Sequence, residues 1–467
     1  MELKKISEKG FSPHPLLKVA LLAALLLSIV MTLTSNYDKH PDEKHHFLAA
    51  VYYKQAFLPP VIGDPAVRDT YSFYGVSYLN YHWTEYFLAG KTAYILSFFT
   101  SNEVVQVRFF NVFLFLSLIG FFLYKSRDKA ENLIFVCFLL ISPQIWYLFS
   151  YINNDAFALF ISILTIYQIG YEESFFNKFL EKPAVPENIA GGIFFGILTG
   201  LLLIVKTNYL PFIIFVFLWL FYTRPFFSFS RPFFNYQKLK KYAVVIFMAA
   251  SVVSLRVAMD FYVNGETNFV GLAYLNYFNG NFEKKKNKLL RYQEEVAEYP
   301  YKPSTLENDL PNSDPPMKLK AKGYPFSDIF TRWKWHEVSF RSSFGTYGYM
   351  NINASNRFHF LFIILLVAFL SLLIYPILKN GQADSRIEFL IFIGSASLTI
   401  FASAYLSWIY AIQGQGRYFF PIIGMLALFV YKNRKNVYGN LINILIAAMF
   451  FLSAYSFVFA GLRRINE

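Results

Sequence analysis

The sequence predicts an all-α polytopic membrane protein, a bundle of about 11 transmembrane helices (roughly 10 to 13) with two large non-cytoplasmic loops. Three observations predict it. Of 467 residues, 55% are hydrophobic and 20% aromatic, while only 16% are charged, a balance far more apolar than a water-soluble domain needs. Repeated stretches of about 16 to 22 residues carry almost no charge, the length a helix needs to cross a hydrocarbon core of about 30 Å. The lysines and arginines sit in short clusters between these stretches.

The basic front M-E-L-K-K leads into an apolar run from about Pro15 to Thr34. That run is too long for a signal peptide and lacks a small-x-small cleavage site, so it reads as a retained first span at 16–34. Further spans follow at 106–124, 131–149, 154–170, 190–205, 208–223, 242–260, 357–377, 387–410, 416–431 and 438–458. With a cytoplasmic N-terminus, parity puts the connections 125–129, 171–188, 224–241, 379–386 and 432–435 inside. These are the Lys- and Arg-rich ones, as the positive-inside rule requires. An odd count leaves Arg463 and Arg464 outside, a conflict that a miscount of one span near the C-terminus would remove.

The chain accordingly divides into an N-terminal transmembrane module (1–260) containing a first external loop (35–105), a large external loop (261–356), and C-terminal helices (357–467). Within the first loop, 43–58 and 83–100 read as amphipathic helices lying along the interface. The large loop has a soluble-looking middle, from E-K-K-K-N-K to P-N-S-D-P-P, between aromatic flanks. The cluster R-P-F-F-S-F-S-R-P-F-F at 224–234 reads as an interfacial anchor.

Several functions are disfavoured. The net charge of +13 is not gathered into a tract with interleaved aromatics, so nucleic acid is not an expected partner. The one cysteine, Cys137, lies in an apolar run, which argues against a disulfide or a catalytic thiol. There is no G-x-S-x-G elbow, phosphate-binding Gly-rich loop or dinucleotide fingerprint. Asp42, His45 and His46 share one helical face and form a weak candidate for a divalent metal, with no evident fourth ligand. No cofactor is otherwise called for.

The candidate site gathers at the non-cytoplasmic ends of the spans. After the first span comes N-Y-D-K-H-P-D-E-K-H-H-F, with the acidic pair Asp42 and Glu43 opening a helix. Pro41 suits a first helical turn, and carboxylates there meet the positive end of the helix dipole; capping in water is the plainer role for them. Other outside turns hold Asn153, Asn154 and Asp155, then Lys206 to Tyr209, then Gln413 to Tyr418. Lys206 interrupts an otherwise continuous apolar stretch, and Arg417 opens another. A cation near the membrane core costs about 2.5 to 3.5 kcal/mol at the centre, so it calls for a partner or a task, although snorkelling to the interface is the simpler account. The large loop ends in W-K-W-H-E-V-S-F-R-S-S-F-G-T-Y-G-Y-M-N, either an aromatic membrane belt or a surface for a sugar ring beside a lipid phosphate.

With these segments placed, the chain resembles the GT-C superfamily of membrane glycosyltransferases, which includes the protein O-mannosyltransferases and the bacterial aminoarabinose transferases. The acidic pair of H-P-D-E-K-H-H-F in the first external loop carries the resemblance. Y-I-N-N-D-A, H-E-V-S-F-R-S-S-F-G-T-Y-G and Q-G-R-Y-F-F-P are similar to segments of a bacterial branch of that clan, made up of membrane proteins of unknown function. The resemblance implies a GT-C-like helix bundle, an undecaprenyl- or dolichyl-phosphate sugar donor, an acceptor on the outer face, inversion at the anomeric carbon, and residence in a bacterial inner membrane. By position, Asp42 takes the place of the family's catalytic carboxylate. The large loop shows none of the β-trefoil repeats of the protein mannosyltransferases, which leaves glycan and lipid acceptors open beside protein.

The residue chemistry agrees. An acceptor hydroxyl needs a general base, here Asp42, with Glu43 orienting it or the acceptor. The departing lipid phosphate needs cations, here Lys206 and Arg417. His46, Asn154, Asp155, Tyr209, Arg341 and Tyr418 are the expected substrate-binding residues. Two competing readings are a transporter or flippase of lipid-linked sugars and a non-enzymatic partner in envelope-glycan assembly. Acids spread through several spans would favour transport, and acids inside the spans are sparse.

Overall fold

The computed structural model describes residues 10–81, 83–182, 186–225, 235–266, 288–299, 301–302 and 318–467. Among them the regular structure is helical apart from one short hairpin, and seven helices are long and apolar enough to cross a membrane. The chain is an all-α polytopic membrane protein.

Helix α1 (Leu16–Thr34) is an unbroken helix of 19 residues, apolar apart from Lys18 and a few hydroxyl side chains, about 28 Å long at 1.5 Å per residue. The first external loop then supplies α2 (Glu43–Gln55) and α3 (Trp83–Leu96), near the two stretches expected to lie along the interface. They pack closely, because Gly90 leaves no room for a side chain against the backbone of Ala50 and Tyr53. Helix α4 (Glu103–Lys125) begins at Asn102, whose side chain accepts from the Val105 amide at 3.2 Å.

The next stretch corrects the expectation of a single span at 131–149. It is a chain of short turns, Ala130–Leu133, Ile134–Cys137, Phe138–Leu140 and Pro143–Leu148. Pro143 lacks an amide hydrogen and its ring crowds the preceding turn, so a new helix must start there; Ser142 caps it by accepting from the Gln144 amide at 3.2 Å. Every residue from 132 to 159 is buried. A broken helix is tolerated in a membrane where protein surrounds it, and α1 helps by aiming the Ser28 and Thr32 hydroxyls at the Trp146 and Ser150 carbonyls (3.0 and 2.7 Å).

Helix α5 (Asn154–Gly170), the short α6 (Phe175–Glu181), α7 (Pro186–Val205), α8 (Leu210–Thr223) and α9 (Tyr236–Asn264) follow. Gly196 and Gly200 set α7 directly against the backbone of α9 at Val245 and Ala249, the small-residue contact by which membrane helices approach without a hydrophobic drive. The Phe-rich cluster lies outside the described residues from 226 on, as does most of the middle of the large loop. The end of that loop forms α10 (Trp335–Phe344) and an antiparallel hairpin pairing Thr346 with Asn353 and Tyr347 with Ile352. The chain closes with α11 (Asn356–Asn380), α12 (Ala383–Ile409), α13 (Pro421–Asn433) and α14 (Gly439–Ser456), the last continued by a π turn over Phe457–Leu462.

The bundle has two distinct ends. At one, Lys129 pairs with Glu173, Asn433 bonds Glu388, Tyr222 bonds Asp384, and the Phe11 amide donates to the Arg434 carbonyl. These are the basic connections. At the other end lie Asn36, the acidic pair and the turns before α5 and α8. The C-terminus joins them, since Asn466 accepts from the Asn36 amide at 2.8 Å and Arg464 donates to the Asn353 carbonyl at 3.3 Å. Arg463 and Arg464 therefore do share an end with the acidic pair, as an odd number of crossings requires.

Candidate active site

The turn between α1 and α2 is fixed from beneath by buried polar side chains. His40 is fully buried, with its ring nitrogens 2.9 Å from Ser35 Oγ and 2.8 Å from the Tyr147 hydroxyl, and it stacks on Tyr151. Burial, and then Arg108, push its imidazole well below the usual histidine range, so it stays neutral. Arg108 projects from α4, donates to both oxygens of Glu43 (2.6 and 2.9 Å) and also reaches the carbonyls of Thr32, Ser35 and Asn36. Glu43 was expected beside Asp42 at the reacting centre. With its side chain 1% exposed and both oxygens taken, it instead ties α2 to the end of α1.

Asp42 is what this scaffold presents. It occupies the N-cap position of α2 in the left-handed region (φ 57°), and its side chain makes no cap hydrogen bond, so the capping role does not account for it. Such backbone is tolerated by Asp but is sparsely populated, and it clusters at functional sites. The side chain is 45% exposed, with Oδ2 lying 3.6 Å from Arg417 Nη2.

Asn153 caps α5 by accepting from the Ala156 amide at 3.0 Å, which places Asp155 in the first turn, where the helix dipole favours an anion. Asp155 is buried between two cations. Arg417 Nε lies 3.4 Å from Oδ2, and Lys206, in the break between α7 and α8, forms an ion pair with Oδ1 while donating to Asn154 Oδ1 at 3.1 Å. Tyr209 is buried just beyond Lys206, and Tyr418 lies under its ammonium, 5.7 Å from ring centroid to Nζ. Asp42, Asn154, Asp155, Lys206, Arg417 and Tyr418 therefore converge from stretches far apart in sequence.

Two of the expected residues stand aside. His46 sits between Tyr86 (Nδ1 to hydroxyl, 2.5 Å) and the Tyr78 ring, stacked at 4.0 Å, and among the described residues no group of three or more His, Cys, Asp or Glu is placed to hold a metal ion. Arg341 binds Glu337 and, at 2.9 Å, Asn356, apart from the cluster. Its neighbours in α10 act on the site instead. Ser342 Oγ accepts from the Gly416 amide at 2.7 Å and donates to the Gly414 carbonyl at 2.8 Å, and Gly416 lies so close to Ser343 that a Cβ would overlap its backbone. Thus α10 sets the Gln413–Tyr418 loop, and Gln415 Oε1 steadies Arg417 by accepting from Nε at 2.7 Å.

A further buried acid lies near this cluster. Glu85, in the loop helix α3, is 1% exposed, and neither of its oxygens has a hydrogen-bond partner among the described residues. Burial pushes its carboxyl well above the ordinary range, Lys206 opposes the rise and Asp155 adds to it. Its place on a helix that the sequence reads as interfacial gives no sign of this burial.

A cleft of about 40 Å³ opens beside Arg417, lined among others by Pro41, Tyr151, Gly348, Gln415 and Gly416. A second cavity of about 380 Å³ adjoins it across Gly348, beneath the hairpin turn and the C-terminus.

Among solved structures, the chain is similar to the crystal structure of the Archaeoglobus fulgidus oligosaccharyltransferase in the apo form, at 13% identity and a TM-score of 0.41. The match covers 96% of this chain and 55% of that one, so this chain spans about half its length. At that identity and score no residue correspondence follows. No family model and no curated protein matches the chain.

Proposed function

We propose that this protein is a membrane glycosyltransferase that moves a sugar from a polyprenyl-phosphate carrier to a hydroxyl acceptor. The observation that carries the reading is Arg417 standing between Asp42 at 3.6 Å and Asp155 at 3.4 Å, at one end of an apolar bundle. That juxtaposition supplies an exposed carboxylate beside a partly buried guanidinium, the pair that base-assisted transfer from a phosphate leaving group needs. The resemblance of H-P-D-E-K-H-H-F to the GT-C acidic motif supports the same assignment.

In this mechanism Asp42 takes the acceptor proton as the acceptor oxygen bonds to the anomeric carbon. The bond from that carbon to the phosphate oxygen breaks, and Arg417 and Lys206 receive the charge left on the phosphate. Attack opposite the leaving group inverts the anomeric centre. Asp155 keeps both cations in place, and Asn154, Tyr209 and Tyr418 complete the wall around them. The Arg417 cleft is too small for a sugar ring at about 40 Å³, so donor entry displaces the loop side chains that narrow it. The basic connections at the far end favour a site on the non-cytoplasmic face, in keeping with a bacterial inner-membrane protein.

The test is incubation of purified protein with a radiolabelled polyprenyl-phosphate sugar and a mixed envelope-glycan acceptor. A transferase releases free lipid phosphate and labels the acceptor. Movement of intact donor across a vesicle, without release, would instead establish the transporter reading.

A further inference from the structure

The 380 Å³ cavity is within the size range of small-ligand sites, about 300 to 1,000 Å³. Its lining is unusual for such a site in being polar. Asp38 and Glu467 offer acceptors, Lys39 and Arg464 offer donors, Asn351 offers both, and Tyr349 contributes a half-exposed ring. Charges of both signs line it, so donors and acceptors are both at hand. A neutral polyol uses both kinds of group, and the flat face of Tyr349, fixed by its hydroxyl donating to Asp38, suits a sugar ring.

The cavity also points at the chemistry. Gly348 lines both it and the Arg417 cleft, whose other wall includes Pro41, the neighbour of Asp42. Burial, then Asp38 and then Asp42 push the Tyr349 phenol up. The backbone bends sharply there, with positive φ at Asp38 (59°), Gly348 (60°) and Met350 (62°), close to that of Asp42. Asp38 and Met350 are non-glycine residues in this conformation, which is uncommon outside functional sites and tight turns.

We propose that this cavity is the acceptor subsite and binds a neutral oligosaccharide, presenting one hydroxyl past Gly348 to Asp42. The proposal rests on the transferase reading. The hydroxyl oxygen bonds to the donor's anomeric carbon, its proton passes to Asp42, and the electron pair of the broken bond leaves on the lipid phosphate.

The experiment measures oligosaccharide binding without donor, by saturation-transfer NMR on the full-length protein in nanodiscs. The probes are maltotriose, chitotriose and mannotriose, tested against wild type, Arg464→Ala and Tyr349→Leu, each checked for a monodisperse folded peak. Wild type is expected to bind at least one trisaccharide, each variant to weaken it roughly tenfold or more, and affinity for the polyprenyl-phosphate sugar to stay within about twofold. No trisaccharide binding by wild type, unchanged binding in both variants, or donor affinity falling in step would each overturn the assignment. Trisaccharide binding lost in the variants, from a protein that releases no lipid phosphate, would keep the carbohydrate site and remove the transferase reading instead.

Discussion

Replacing Glu43 with Leu separates anchoring from chemistry. The substitution strands Arg108, whose side chain is 1% exposed, and deletes its hydrogen bonds of 2.6 and 2.9 Å to the carboxylate. Removing one partner of a buried ion pair costs about 3 to 5 kcal/mol. Arg108 keeps its contacts to the Thr32, Ser35 and Asn36 carbonyls, so the loss belongs at the lower end, about 3 kcal/mol, still a large part of a net stability of about 5 to 15 kcal/mol. The double variant Glu43→Leu, Arg108→Met removes the stranded charge and should recover about half of the loss, the remainder reflecting the carbonyls that Arg108 no longer satisfies. Thermal unfolding of wild type, both single variants and the double variant, paired with lipid-phosphate release well below each midpoint, gives the answer. The anchoring role requires turnover to return with stability in the double variant. A double variant that regains this stability yet does not turn over would put Glu43 back at the reacting centre.

Asp42→Asn should lower transfer by about 10² to 10⁴ while insertion, melting temperature and donor binding hold, and transfer at the normal rate would remove Asp42 as the base. Gly416→Ala forces a methyl group into the Ser343 backbone, so we expect a loss of about 1 to 3 kcal/mol and, through displacement of Arg417, a fall in turnover of about 10²; unaltered turnover would mean that the α10 contact does not position the loop. Glu85→Gln removes a carboxyl whose folded value is raised above the ordinary 4.5. Because the folded state then holds a proton that the unfolded state releases, wild-type stability falls as pH rises from that ordinary value toward the folded one. The variant should out-melt wild type by a margin that widens as pH rises above the ordinary carboxyl range, and a margin that narrows would show that Glu85 is held ionised by Lys206.

The apolar runs made most of the helices legible, because length and lack of charge are properties of a segment by itself. The stretch at 131–149 was not, since its division depends on Pro143 and on neighbours that cover every residue from 132 to 159. Polar residues at the span ends pointed to Asp42, Asp155, Lys206 and Arg417, and alternation of the chain brought them to one end. Arg108 carried a usable sign, a cation just inside an apolar run, yet a span counted from 106 passes over it. Glu85 gave none, because a charged residue on an amphipathic helix reads as its solvated face until another element covers it. In the S-F-R-S-S segment the charged Arg341 drew attention, whereas Ser342 and Ser343 make the contact, being small enough to let Gly416 approach.

The distances around Arg417 bear on how the site could fire in order. Charge-assisted bonds between a guanidinium and an oxyanion close to about 2.7 to 2.9 Å, but Arg417 stands 3.6 Å from Asp42 and 3.4 Å from Asp155. It is attracted to two acids and tightly bonded to neither, so a phosphate able to offer forked oxygens competes well for it. Asp155 is buried in the first turn of α5 and stays with Lys206, whereas Asp42 is 45% exposed on a left-handed residue with no cap bond to hold its side chain. The contact that yields to the phosphate is therefore the one with Asp42. Under the proposed mechanism, the arriving donor draws off the cation that shields the base, and the Asp42 oxygens become free to accept a proton only when a sugar is in place to be transferred.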